Sequence, residues 1–155
     1  MIFAPFIVSA CQRMHTPDVA RVPSFVVEVR TSPRATVRFA AAHETIVVGA
    51  YLFGFPAPNA QRYADDMGEI HLGQRETEMP GPGRITFLSV TYDRNKLSLL
   101  RNRDLKLLIN VWSGRRTSPN NLLHCSIFED SFEVAAKKGV RIDCSLIEED
   151  VLPNH

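Results

Sequence analysis

The sequence predicts an all-β fold: an antiparallel β-sandwich, immunoglobulin-like or jelly-roll-like, with about 7 to 9 strands and at most one or two short helices. Three observations carry that expectation. Apolar residues recur at period two in segment after segment, the signature of strands with one buried face. The segments are short and bounded by turn-forming residues. No long helical repeat separates them, as a parallel sheet with crossover helices requires.

Residues 1–23 stand apart from the rest as an apolar segment and a tether. Met1 to Ala10 ends in Val8-Ser9-Ala10-Cys11, which looks like the cleavage box of bacterial lipoproteins, with Cys11 the lipidated residue and Gln12 to Pro23 a polar tether. Against that stand the lack of any Lys or Arg before the apolar stretch, the presence of Pro5, and a length below the roughly 15 to 30 residues of a secretory leader. The other reading is a first strand with Cys11 buried as a small hydrophobe. Compartment follows that choice: cytoplasm in one case, the bacterial cell envelope in the other.

Residues 24–150 read as one β-sandwich domain and 151–155 as a tail. Phe25, Val27 and Val29 alternate with Val26, Glu28 and Arg30. Thr36 to Ala41 is the next strand candidate, after the turn Thr31-Ser32-Pro33-Arg34, followed by Ile46 to Phe53. The apolar run Ile46 to Phe55 is ten residues long, below the roughly 18 that cross a bilayer as a helix. Pro56 to Met67 is a long loop in which Ala60 to Asp66 is expected to make about two helical turns behind Asn59. Glu69 to Leu72 is a short strand, and Gln74 to Gly83 a second loop ending in Pro80-Gly81-Pro82-Gly83. Then come strand candidates at Arg84 to Tyr92, Lys96 to Leu100, Leu105 to Trp112, Leu122 to Phe128, Ser131 to Ala135 and Val140 to Ile147. Asn102-Arg103-Asp104 and Lys137-Lys138-Gly139 read as hairpin turns. The expected core includes Val27, Val37, Ile46, Phe87, Leu107, Ile109, Ile127 and Ile142. Leu122 to Phe128 is little protected by charge, and as an edge strand it needs a partner.

Composition narrows function more than it identifies it. The chain has 155 residues, 45% hydrophobic and 23% charged, with a formal charge of +1. That balance gives no global field toward nucleic acid or an anionic membrane. No P-loop, dinucleotide fingerprint, zinc-protease motif or Gly-x-Ser-x-Gly occurs, so no motif implies a cofactor or catalysis. His124 and Cys125 are strand neighbours and point to opposite faces, which rules them out as a base and nucleophile pair. His43-Glu44 lies between two strand candidates as a loop pair. Asp65, Asp66, Glu69 and His71 form the densest cluster of metal-capable groups, yet their spacing fits neither a calcium loop nor a helical zinc pair. Cys125 and Cys144 are an even pair in alternating segments, read either as a disulfide or as reduced core thiols.

Recognition features are aromatic and basic. Trp112, the single tryptophan, precedes Ser113-Gly114-Arg115-Arg116, and Tyr51, Phe53 and Phe55 share one face of an uninterrupted strand. Further cations concentrate at Arg94, Lys96, Arg101, Arg103 and Lys106, mixed with Asp93 and Asp104. The expected function is a non-enzymatic binding or structural subunit that meets protein partners, or further copies of itself, through loops and an edge strand. Tyr51, Phe53, Phe55, Trp112, Arg115 and Arg116 are its candidate contacts. Two alternatives stand beside it: a small carbohydrate-binding module using Trp112 or Tyr63, and a metal-dependent hydrolase centred on Asp65 to His71.

Overall fold

The computed structural model describes residues 18–150; Cys11 and the leader, first-strand and tail readings lie outside them. The chain is mostly β, 46% strand against 24% helix, with ten strands in antiparallel and mixed sheets. The strands are β1 (Val19–Arg21), β2 (Phe25–Thr31), β3 (Ile46–Gly54), β4 (Ile70–Met79), β5 (Gly83–Phe87), β6 (Thr91–Asp93), β7 (Lys106–Ser113), β8 (Leu123–Cys125), β9 (Phe128–Ser131) and β10 (Val140–Leu146). The helices are α1 (Pro33–Ala42), α2 (Phe132–Lys138) and α3 (Ile147–Asp150), with 3-10 segments at Gln61–Tyr63, Arg94–Leu99 and Arg101–Arg103. No described helix is long and apolar enough to cross a membrane.

One four-stranded sheet runs β4-β3-β7-β9, antiparallel throughout. The other runs β5-β2-β10-β8, and its central pair, β2 with β10, is parallel. The expectation of a wholly antiparallel sheet is therefore corrected, because α1 and all that follows it separate β2 from β10 and bring the chain back in the same direction. Both sheets contribute to one buried cluster: Ile46, Val48, Ala50 and Leu52 from β3, Leu107, Ile109 and Val111 from β7, Phe25, Val27 and Val29 from β2, and Val140, Ile142 and Leu146 from β10. Phe25 stacks on Phe87, ring centroids 5.2 Å apart. A third, two-stranded ribbon pairs β1 with β6, so part of the expected tether is a strand.

An α-helix replaces an expected strand in two places, each time because a turn signal is a helix cap. Thr36 to Ala41 lies in α1: Pro33 occupies the first turn and Ser32 Oγ accepts from the Ala35 N–H at 3.1 Å. Ala35 and Phe39, four residues apart, are buried, and Val37 on the opposite side is 69% exposed rather than in the core. Ser131 likewise caps α2, and Gly139 stops it, its N–H donating to the Ala135 carbonyl. Lys137-Lys138-Gly139 is thus a helix end and not a hairpin. Asn102-Arg103-Asp104 ends a 3-10 segment leading into β7, and Lys96 to Leu100 is also 3-10 up to Leu99. Gln74 to Gly83 is mostly strand, since β4 runs on to Met79 before the Pro-Gly turn. Leu122 to Phe128 yields only the short edge strand β8 and the first residue of β9, leaving Ile127 64% exposed between them. Cys125 and Cys144 face each other across β8 and β10, Cα atoms 4.0 Å apart, and are joined as a disulfide.

Candidate functional site

Pleating turns every second residue of β3 and β7 away from the core, and the register then sets which side chains meet. Val47 stands opposite Trp112, Gly49 opposite Asn110, and Tyr51 opposite Leu108. Glycine at 49 leaves room for the Tyr51 ring, which lies across it: a Cβ there would sit 2.6 Å from that ring. The Tyr51 hydroxyl donates to Glu76 Oε1 on β4 at 2.7 Å. Burial and the neighbouring Glu76 carboxylate raise the phenol's pKa, which keeps the hydroxyl protonated as a donor. Trp112 closes the other end, and between the two aromatics opens a cleft of about 460 Å³ bounded by Tyr51, Asn110, Trp112, Arg115 and Asn121.

The loop after β7 is held by polar contacts at both ends. Asn121 Oδ1 accepts from the Ser113 and Leu123 N–H groups at 2.9 and 3.1 Å, while Asn121 Nδ2 donates to the Leu123 carbonyl at 2.8 Å. Gly114 donates its N–H to the Thr45 carbonyl at 2.7 Å, and a Cβ on it would overlap Thr45 Oγ1 at 1.8 Å. The chief brace is Glu44, only 1% exposed. Its carboxylate accepts from the N–H groups of Thr45, Arg116 and Thr117 and from the Thr117 hydroxyl, all at 2.7 to 3.0 Å. Burial opposes the charge, but the Thr117 hydroxyl and the three N–H donors outweigh it and hold the pKa at about 2. Arg115, between these anchors, adopts the left-handed region at φ 58°, a conformation that costs a non-glycine residue on the order of 1 kcal/mol.

Of the six contacts expected from sequence, the structure brings three together: Tyr51, Trp112 and Arg115. Arg116 turns aside to make two hydrogen bonds to Glu78, from Nε at 2.7 Å and from an Nη at 2.5 Å. Those bonds and one from Thr45 hold the Glu78 carboxyl at about 2. Phe53 is 1% exposed, although its pairing with β7 runs on in register from Tyr51 and sets it opposite Lys106; it is therefore covered rather than offered as a contact. Phe55 is 41% exposed, edge-on to Phe53 and under the Lys106 ammonium. It lies eight residues along the chain from Val47, the partner of Trp112, hence about 25 Å away at the other end of the sheet. Sequence reading missed Glu44 as a brace and Asn110 and Asn121 as cleft walls. Asn110 had a signal, since it shares the outward parity of Trp112 between buried Ile109 and Val111.

The acidic cluster folds as a braced loop. Asp65 Oδ1 accepts from the Met67 and Glu69 N–H groups at 2.9 and 3.0 Å, and Asp65 Oδ2 pairs with His71 Nε2 at 2.8 Å. The Glu69 N–H leads in holding the Asp65 carboxyl low, against burial and with help from Met67 and His71. Glu69 is pushed up by burial and by the charges of Asp65 and Glu129. Asp66 makes none of these contacts, and among the described residues no three His, Cys, Asp or Glu side chains are grouped to hold a metal ion. Tyr63 is half-exposed with the Arg62 guanidinium 4.6 Å above its ring. The basic residues after β6 disperse: Arg94 pairs with Asp18 at 3.6 Å, and Lys96 donates to the His71 carbonyl.

Comparison with known families, curated proteins and solved structures finds no match to this chain. Two aromatic faces, two carboxamides and one guanidinium line the cleft; the strands carry Tyr51, Asn110 and Trp112, and the braced loop presents Arg115 at little entropic cost on binding.

Proposed function

We propose that the protein is a non-enzymatic β-sandwich module, its two four-stranded sheets closing on one core, that binds a protein partner at the Tyr51, Trp112 and Arg115 cleft. The supporting observation is that these three residues, drawn from one strand, the next strand and the loop beyond it, line one cleft whose loop is held by the buried Glu44 carboxylate. Tyrosine, tryptophan and arginine are the residue types that dominate binding energy at protein interfaces, and a pre-ordered loop loses little freedom on docking. Phe55, at the far end of the same face, is a separate contact in this reading.

A second reading rests on the same walls. A tryptophan face flanked by Asn110 and Arg115 also suits a sugar ring, stacked on the indole with its hydroxyls accepting from the Asn110 amide and the guanidinium. One reporter separates the two. Trp112 is the only tryptophan, so its emission reports the cleft directly. A photo-crosslinking residue at position 115, used in the producing cell, is expected to trap one defined protein, and Trp112→Ala is expected to reduce its yield by roughly tenfold or more. A yield unchanged by both Trp112→Ala and Tyr51→Ala sinks the protein-partner reading. Saturable quenching of Trp112 by an oligosaccharide, with no protein trapped, selects the sugar instead.

A further inference from the structure

The outward face of the other sheet carries a groove that sequence reading did not anticipate. It has a volume of about 620 Å³ and lies between the end of α2 and the strands β2, β5 and β10. Arg84, Lys137, Lys138 and Arg141 line it, and Glu28 is the one carboxylate doing so among the described residues. Register explains the pattern. Arg141 stands opposite Glu28 and Glu28 opposite Arg84, so one row crosses three strands with charges alternating positive, negative, positive. The row stops on a cation because β5 is the last strand of the sheet, paired among the described residues only with β2. Glu28 is shared: its oxygens lie 3.3 Å from Arg30, 3.9 Å from Arg84 and 3.7 Å from Arg141. A single carboxylate leaves most of that positive charge unanswered.

We infer that the β5 edge is a docking strand for an extended acidic peptide, which adds to the sheet and sets its carboxylates against Arg84 and the groove beside it. Three features choose this occupant. Strand addition continues the alternation of the row, since the residue opposite Arg84 is then an acid, and opposite charges facing each other across strands stabilise the pairing. A second copy of the chain is disfavoured, because its own β5 brings no carboxylate, Arg84 being the one charged residue of that strand. A long polyanion is disfavoured by the formal charge of +1, which supplies no field beyond the groove itself. Apolar side chains complete the surface: Val26 on the groove floor is 39% exposed and Leu88, just past β5, 74%.

The inference is independent of the Trp112 cleft, and its test keeps the two apart. The full chain is titrated into a fluorescein-labelled peptide of alternating Glu and Val, followed by anisotropy. Saturable binding is expected, weakened roughly tenfold or more by Arg84→Glu, by Lys in place of Glu in the peptide, and by N-methylation of the peptide amides. Trp112→Ala is expected to leave it unchanged. Equal binding of the N-methylated peptide overturns the inference, because charge alone then suffices without strand pairing. Displacement by inorganic phosphate, with the N-methylated peptide still bound, marks a small-anion site instead. Absence of saturable binding, or indifference to Arg84→Glu, overturns it outright.

Discussion

The outward faces of the two sheets each depend on one glutamate, and the two glutamates are in opposite physical situations. Glu44, beside the β3–β7 face, is sealed from water and takes four hydrogen bonds at 2.7 to 3.0 Å, three from the loop at Arg116 and Thr117 and one from its neighbour Thr45. Glu28, on the β2–β10 face, has a side chain 24% exposed and shares three arginines at 3.3 to 3.9 Å. In a low-dielectric site with donors already aimed, a carboxylate fixes backbone geometry. Where water and salt reach it, the same group sets a local charge but little shape. One face is therefore organised around a fixed loop, the other around a surplus of cations.

The comparison presumes that both sheets stand on a common core, and the largest expected effect tests that. Ile109 in β7 and Ile142 in β10 are both fully buried. Replacing either with Ala should cost about 2 to 5 kcal/mol in denaturant unfolding. Val37→Ala, at a position 69% exposed, should change stability by no more than about 0.5 kcal/mol. A full cost at Ile109 with almost none at Ile142 means that the second sheet is not packed on the first.

Next in size is the loss of the Glu44 brace. Glu44→Gln keeps the shape but replaces one acceptor oxygen with a donor, leaving buried N–H groups unanswered, and should destabilise by about 3 kcal/mol at neutral pH. The sign of the pH dependence is fixed by the lowered pKa. The carboxylate's contribution is complete above its ordinary value of 4.5 and is lost as pH falls toward about 2. The gap in stability between parent and Glu44→Gln should therefore close over that window. Glu78 titrates in the same range but is present in both proteins, so the difference isolates Glu44. A gap that stays constant from neutral pH down to about 2 denies the brace its ionised role.

Why the sequence revealed the strands better than the sites follows from the range of the interactions involved. Period two in β2, β7 and β10 is a local property, and all three lie where the alternation places them. The misplaced elements are those whose local signals serve two structures: Ser-Pro opens a turn or a helix, and Lys-Lys-Gly closes either. The cleft was half legible. Trp112 and Tyr51 stand out as aromatics, but Glu44 meets Thr117 across 73 residues of chain, a contact that leaves no mark in composition. The cationic groove was invisible because its row is assembled from residues 28, 84 and 141, far apart in sequence and joined only by register. Cys125 and Cys144 illustrate the same limit: spacing allowed both thiol and disulfide, and direct opposition across β8 and β10 chose the disulfide.

The smallest expected effect falls at Glu28, and it sharpens the comparison because stability and binding should part there. Burial pushes its carboxyl up, but the charge and hydrogen bond of Arg30, with Arg84 and Arg141, prevail and hold it below the ordinary range. Those ion pairs are long and wet, so Glu28→Gln releases the arginines to water and should leave the unfolding midpoint within the scatter of the measurement. Binding should respond in the other direction. The substitution removes the only negative charge in the described lining, which strengthens the groove's hold on an acidic peptide by several-fold at low salt, a gain that shrinks as ionic strength rises. At Glu44 the matching substitution should lower stability and, by loosening the loop, weaken the Trp112 cleft along with it. If Glu28→Gln instead destabilises the protein as Glu44→Gln does, the carboxylate is holding β2, β5 and β10 together, and the contrast between a shape-holding face and a charge-holding face fails.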